Sequence, residues 1–592
     1  MEPGNNRKLF LRHGISILAM SLVLTHFFIL APANAQGDAK AQTDFSVTHA
    51  NVGVGGGHLV VSLTAEPKTL NPLTLADDAS KTVVGLMSGD LIHINRYTQL
   101  PEPALAKSWN VSADGRKYTI KLRPGLRFSD GLPLTADDVV FSFAVYLDEQ
   151  SHSPQRDLLI IDGKPITIKK VDLETIVFEL SKPYGPGVRL FDSFAILPRH
   201  LLESAYRKGA LERSWTSTSN PNEIAGAGPF RLKQYVPGQK LVLEKNPFYW
   251  KVDQKNARLP YLEQLIFLFI PNQDTAFLRF QSGEIDLISH ITPQNFTLQR
   301  SGSSRGVQFM DAGASLEWNF LFFNLNDAAK LSPELSRKQK WFLSKGFRQA
   351  ISSVLDRPGM VRLIYQGKAT PIWGPVTPGN KLWMDSGLPR PERSVEHARQ
   401  ILRDAGFSWA PDGTLVDAQH QSVQFSIVVA SSNLERTKMA TMIQEDLRQI
   451  GVHVTIVPLE FRALLNRILD THEFEACVLG LGSGDTDPNA DSNVWLSDGE
   501  THIWDLHRGN PGTEWQAEID DLMHKQLTET SFEQRKKDFD RVQELLSANQ
   551  PVTFLVSPHV LVGVKNKLGN FAPAVMDPVD LWNADELYWK PN

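Results

Sequence analysis

The sequence predicts an α/β protein, and two observations carry that prediction. From about His58 onwards, short β-type runs alternate with helical ones. In addition, MATMIQEDLRQIGVHVTIV, Met439 to Val457, reads as a helix closed by Gly451 and followed by a strand. Strand-helix-strand units of this kind build sheets whose ligands lie beyond the carboxyl ends of the strands.

Residues 1–35 precede the pattern. Arg7, Lys8 and Arg12 lead into an apolar run from Ile15 to Leu30, and Ala-Pro-Ala-Asn-Ala ends at Ala35. A basic start, a short apolar core and an A-x-A exit describe a secretory signal cleaved after Ala35. The sixteen-residue run, interrupted by His26, falls short of the roughly twenty residues that span a bilayer. No arginine pair precedes it, so general export is expected. Residues 36–57, small, polar and rich in glycine towards their end, are expected to be a flexible leader. They lack the preceding strand and the Lys-Ser/Thr of a phosphate loop.

Structure begins with the strand HLVVSL. YTIKLRPGLRF alternates as a half-buried strand does, and TADDVVFSFAVYL opens with a Thr cap and two acids, as a helix does. Asp137 and Asp138 are therefore read as helix-start acids rather than a catalytic pair. TIVFEL, RLKQYV, KLVLEK and LIFLFI follow as strands. A second block begins at about Asp311, with strands NFLFFNL, FSIVVA, VHVTIVPL and EACVLGL between helices such as HARQILRDAG. No internal repeat is present.

Hydrophobic content of 42% against 21% charged residues reads as globular. Formal net charge is −5, and loss of residues 1–35 would shift it to −7. That balance offers no footprint for nucleic acid. The single cysteine, Cys477, cannot form an internal disulfide and lies far from the cleavage site, so no thiol is placed there to carry a lipid.

Six separated segments, in order, resemble the family 5 extracellular solute-binding proteins of ABC importers, the dipeptide, oligopeptide and nickel-binding family. They are Ala104 to Phe143, GAGPFRLKQYVPGQKLVLEKNPFYW, FQSGEIDLI, FRQAISSVLDRPGMVRLIYQGKATPIWGPVTP, ARQILRDAGF and MIQEDLRQIGVHVTI. The resemblance implies a bilobal α/β periplasmic-binding-protein-like fold with a hinge and an extra inserted domain on the first lobe. Lobe I would use residues 58–90, 214–310 and 551–592, the inserted domain 91–213, and lobe II 311–550. Phe230, Phe248, Tyr249 and Trp250 are read as packing residues. The lobes would close on a solute and deliver it to permease subunits in the inner membrane. The receptor is expected to be a periplasmic monomer without a lipid anchor, cofactor or metal.

The candidate site is GLGSGDTDPNADSNVW, Gly480 to Trp495, at the exit of the strand EACVLGL. Three readings compete. As a calcium loop, Asp485, Asp487 and Asn489 alternate correctly, but Ala490 stands where a Gly is needed and Leu496 where a bidentate Glu is needed. As an ordinary turn, the Asp and Asn residues cap their own backbone. In peptide-binding members of the family, an Asp at the corresponding exit pairs with the peptide's free ammonium. By that resemblance Asp485, or else Asp487, is the anchor, with Asn489 beside it. Oligopeptide binders often carry a Trp where this chain has Gly482, so Trp495, Trp373 and Trp318 are candidates for the apolar walls. The family also takes nickel complexes, opines and oligosaccharides. His502 and His507 lack a metal-binding spacing.

A secreted hydrolase is the rival class. The chain has no G-x-S-x-G elbow and no H-E-x-x-H, and Gly482-Ser483-Gly484 comes without an evident base.

Overall fold

The computed structural model describes residues 44–300, 306–327, 332–506 and 510–591. The signal at 1–35, the start of the leader and His507 lie outside the described residues.

Two sheets organise the described chain into two lobes with separate hydrophobic cores. The larger has the strand order Phe230–Val236, Lys240–Lys245, Gln264–Phe269, His58–Leu63, Leu287–Ile288, Val556–Lys565 and Val307–Ala314, with Ala369–Pro371 paired to the start of Val556–Lys565. The smaller runs His453–Leu459, Gln424–Ala430, Ala476–Gly482, Glu317–Phe323 and Val552–Phe554. Gln424–Ala430 and His453–Leu459 are parallel, joined by the helix Leu434–Arg448 that the sequence predicted. Gly451 ends that helical segment at φ +82°, where a Cβ would also stand 2.3 Å from the Gly413 carbonyl oxygen. Both the conformation and the close approach require glycine.

An antiparallel sheet, Ala106–Val111, Lys117–Leu122, Thr175–Glu179 and Thr167–Lys170, carries the helix Ala136–Leu147 and belongs to the inserted segment. Its helix starts as expected. The Asp138 carboxylate accepts the Thr135 N–H at 2.9 Å in a capping box, and Asp137 takes Lys170 Nζ at 2.6 Å. Phe143 packs edge-on against Phe178 with centroids 4.8 Å apart, in a core continuous with that of the larger sheet. The strand read as Tyr118 to Phe128 stops at Leu122, because Pro124 offers no donor and Gly125 turns the chain at φ +74°.

The end of the expected flexible leader is not free. Ser46–Val47 forms a parallel pair with Lys251–Val252, and Thr48 N–H donates to the Val252 carbonyl at 2.9 Å. Gly53 lies where a Cβ would meet Tyr588 at 2.6 Å, so this glycine serves close packing rather than mobility.

Besides the excursion of Ala369–Pro371 to the start of Val556–Lys565, the described chain passes between the sheets at two places. The first crossing, Ser315–Leu316, lies a few residues past the expected 311. The second is Leu555, because Val552–Phe554 still belongs to the smaller sheet and only Val556–Lys565 enters the larger one. Ser315 N–H donates to the Pro558 carbonyl at 2.8 Å and Leu555 N–H to the Asn319 carbonyl at 2.9 Å, so the two crossings brace each other. Cys477 is buried in the central strand of the smaller sheet, where desolvation pushes its thiol far up and makes it inert. Among the described residues no helix is long and apolar enough to cross a membrane.

Candidate functional site

A cleft of about 1820 Å³ opens beyond the carboxyl ends of three strands, lined by Leu63 to Ala65, Ser289 to Thr292 and Gly482 to Gly484. This is larger than the roughly 300–1,000 Å³ of ordinary small-molecule sites. A Cβ at Gly482 or Gly484 would meet nothing within 4 Å, so the strand exit faces open space.

Nine acidic and four basic side chains line the cleft. Most of the acids have partners of their own. Asp77 caps a helix, accepting Ser80 N at 2.9 Å and Ser80 Oγ at 2.7 Å, and exposed Asp78 lies 3.7 Å from Lys81. Glu102 accepts from Asn95 at 3.1 Å, and Asp580 is hydrogen-bonded to Ser289. Lys251 sits between Asp585 at 3.1 Å and Glu586 at 2.8 Å. Asp577 is exposed. Asp192 accepts the Ile94 N–H at 2.8 Å and Arg96 Nη1 at 3.0 Å, with His93 Nδ1 3.4 Å away. The remaining acid, Asp90, stands beside Asp192. Burial and the neighbouring Asp192 charge hold its carboxyl well above the usual carboxylate range. Asp90, His93 and Asp192 bring ligand-type atoms within 4.8 Å of one another. Arg96 already supplies a positive charge there, which marks a carboxylate–guanidinium group rather than a metal centre.

The acidic stretch beside the cleft is committed elsewhere. Asp485 pairs with Arg189 of the inserted segment, whose Nε lies at 2.9 Å, while the same guanidinium reaches Thr486 Oγ1 at 3.0 Å and the Gln99 carbonyl at 2.9 Å. Asp487 receives Arg535 through two bonds of 2.8 Å, with both side chains 4% exposed, and it also accepts the Asn489 N–H at 3.1 Å. Asn489 donates to Tyr184 Oη at 3.0 Å, which brings the inserted segment against the second lobe again. Asp491 accepts from Ser483 Oγ at 2.6 Å, and burial pushes its carboxyl up to about 6. The three aspartates face three different partners and do not converge on one ion as a calcium loop would.

The candidate aromatic walls also lie away from the cleft surface. Trp318 and Trp495 are 1% and 2% exposed and stack with centroids 5.4 Å apart inside the second lobe's core. Trp373 is half-buried, with the Arg357 guanidinium 5.8 Å from its ring. The cause is the interior position of Glu317–Phe323, which has a neighbouring strand on each edge and is covered on both faces. His502 donates through Nδ1–H to the Val494 carbonyl, 3.0 Å away, as a packed histidine.

Two sheets, the connections between them at Ser315–Leu316 and Leu555, and a large cleft at the strand ends suit a protein that encloses a solute. The family model of bacterial extracellular solute-binding proteins, family 5 (middle region), matches residues 101–502. This chain belongs to that family. A probable ABC transporter-binding protein of Deinococcus radiodurans is 28% identical, covering 86% of this chain and 88% of that protein. The oligopeptide-binding protein AppA of Bacillus subtilis is 25% identical, covering 92% and 93%. The AppA structure, in complex with a nonapeptide, matches with a TM-score of 0.68 at 24% identity, covering 91% of this chain and 100% of that one. As a family 5 binding protein the chain has the bilobal α/β fold, with its solute cleft between the lobes.

Sequence reasoning missed Arg189 and Arg535, since lone arginines in helical segments carry no pattern. It also missed Asp90, which follows an apolar helix as an unremarked Gly-Asp.

Two outcomes follow. Asp487→Ala leaves Arg535 buried without its anion and is expected to cost about 3–5 kcal/mol in denaturant unfolding. Asp485→Ala, whose carboxylate is 29% exposed, should cost less. For Asp491, the folded pKa lies above the unfolded one, so the native state holds a proton that the unfolded chain releases. Stability is lost as pH rises from about 4 to 6. The advantage of Asp491→Asn over wild type in melting temperature should grow across that window and level off above it.

Proposed function

We propose that this family 5 protein is the periplasmic receptor of an ABC importer and that it captures peptides or peptide-like cationic solutes. The observation that carries the reading is the cleft itself: about 1820 Å³ at the strand ends, with nine acids against four bases. A volume of that size accommodates several residues of extended chain, and an excess of carboxylates favours a positively charged guest. The oligopeptide-binding relative supports the same class of solute. Bound solute would contact both lobes only when they are closed, and so would select the closed form by its differential contacts. The permease subunits of the inner membrane would then receive that form.

In this reading residues 1–35 are the cleaved signal, and the mature chain is a monomer without a lipid. It turns nothing over. The hydroxyl of Ser483 gives its hydrogen to the Asp491 carboxylate rather than to a histidine base.

The test is thermal unfolding of the mature protein with pools of free di- to penta-peptides and the same pools N-acetylated. A ligand at about a hundred times its dissociation constant stabilises by about 2.7 kcal/mol, which appears as a rise in melting temperature. A rise with the free pools supports the peptide reading, and none with either pool transfers the role to a non-peptide solute. Steady hydrolysis of ester or peptide substrates that Ser483→Ala abolishes would overturn the receptor reading.

A further inference from the structure

The cleft holds one sequestered carboxylate that no described residue pairs or hydrogen-bonds. Asp90 is half-buried and lines the cleft, and its carboxylate makes no hydrogen bond or ion pair with any described residue, unlike the other sequestered acids around it. Its position is fixed from both sides. The Gly89 carbonyl accepts the Ile196 N–H at 3.0 Å, and the Asp90 carbonyl accepts the Leu105 N–H at 3.2 Å. Nearby Tyr146 gives its hydroxyl hydrogen to the Ala195 carbonyl at 3.2 Å and has none left for Asp90. Arg96 is the single permanent cation of the group, and its Nη1 is spent on Asp192 and on the Ile94 carbonyl. Two carboxylates thus stand beside one guanidinium, which bonds Asp192 alone of the two.

We propose that Asp90 is the carboxylate that receives the solute's positive charge, an ammonium or guanidinium group entering the cleft and completing the set that Arg96 and Asp192 leave one cation short. A buried carboxylate without a partner is costly, and a cation that enters with the ligand offsets that cost only in the bound state. Such a contact discriminates strongly, because a neutral analogue leaves the carboxylate unpaired. The raised proton affinity of Asp90 is what an empty site of this kind would show. By contrast Asp485, at the strand exit, already holds a guanidinium of this chain. The inference deepens the receptor reading above and rests on it for the cleft, but not for the peptide.

The experiment is isothermal titration of the mature protein and its Asp90→Asn variant with five probes: free di- to penta-peptide pools, N-acetylated pools, L-arginine, agmatine and nickel chloride. Glu392→Gln, an exposed acid away from the cleft, controls for net charge. Asp90→Asn removes a like charge beside Asp192, so its unliganded melting temperature should not fall, which separates lost binding from lost folding. At least one amine-bearing probe is expected to bind wild type and Glu392→Gln alike and to lose thirtyfold or more in Asp90→Asn. Acetylated pools should bind both forms equally weakly. If agmatine or arginine shows that loss while no peptide binds, Asp90 stands and the peptide reading falls. If peptides bind wild type and Asp90→Asn within threefold, Asp90 falls and the peptide reading stands. Absence of binding by every cationic probe, or binding of nickel alone that His93→Ala abolishes, would overturn the proposal.

Discussion

The buried pair between Asp487 and Arg535 fixes the acidic loop beside the cleft. Both side chains are 4% exposed, and the guanidinium makes two bonds of 2.8 Å to the carboxylate. Its remaining donors reach the Gln526 carbonyl at 2.9 Å, Gln526 Oε1 at 2.8 Å and the Gly185 carbonyl at 3.0 Å. A guanidinium so far from water is tolerated only when its donors are met, and its partners, Asp487, Gln526 and Gly185, come from three separate pieces of chain. The acidic loop, the helix pair Glu514–Thr528 and Phe532–Asn549, and the turn at Gly185 are therefore held in one geometry. The fit is tight enough that a Cβ at residue 185 would stand 2.4 Å from the Gln526 carbonyl oxygen.

This anchoring makes the remaining contacts between the inserted segment and the second lobe exchangeable. Gln99 donates to the Gly379 carbonyl at 2.7 Å and accepts the Lys381 N–H at 2.9 Å, Tyr184 meets Asn489, and Arg189 meets Asp485. All are polar, so that parting them exposes hydrogen-bonding groups to water rather than apolar surface. The apolar cores of the two lobes are separate, so parting the lobes would expose little of either. The two braced crossings at Ser315–Leu316 and Leu555 remain as the covalent connections about which such a motion would turn.

The sequence displayed those features that arise from local rules. The cap at Thr135, the glycine stop at Gly451 and the apolar runs of the strands could all be read, because each depends on neighbours within a few residues. What could not be read depends on distant partners. Gly53 looked like a linker residue until Tyr588, over five hundred residues later, was seen to fill the space beside it. Trp318 and Trp495 resembled ligand walls, since an indole's place in a core or a cleft is decided by which face of its strand is covered. Asp485 and Asp487 were visible as carboxylates needing cations, but the arginines that supply them lie 296 and 48 residues away.

The same physical demand explains both the acid that sequence pointed to and the one it passed over. A carboxylate drawn out of water at the edge of a closing cleft needs a cation, which was the reason to expect a solute's ammonium at Asp485. Here the inserted segment supplies Arg189 to that position, and the need is met within the chain. A solute's ammonium would then gain from Asp485 only by displacing a guanidinium that is itself 10% exposed and bonded to the Gln99 carbonyl. At Asp90 no displacement is required, since Arg96 is already divided between Asp192 and the backbone. When one acid is matched internally and the other is not, the unmatched one is where an incoming charge changes the energy most.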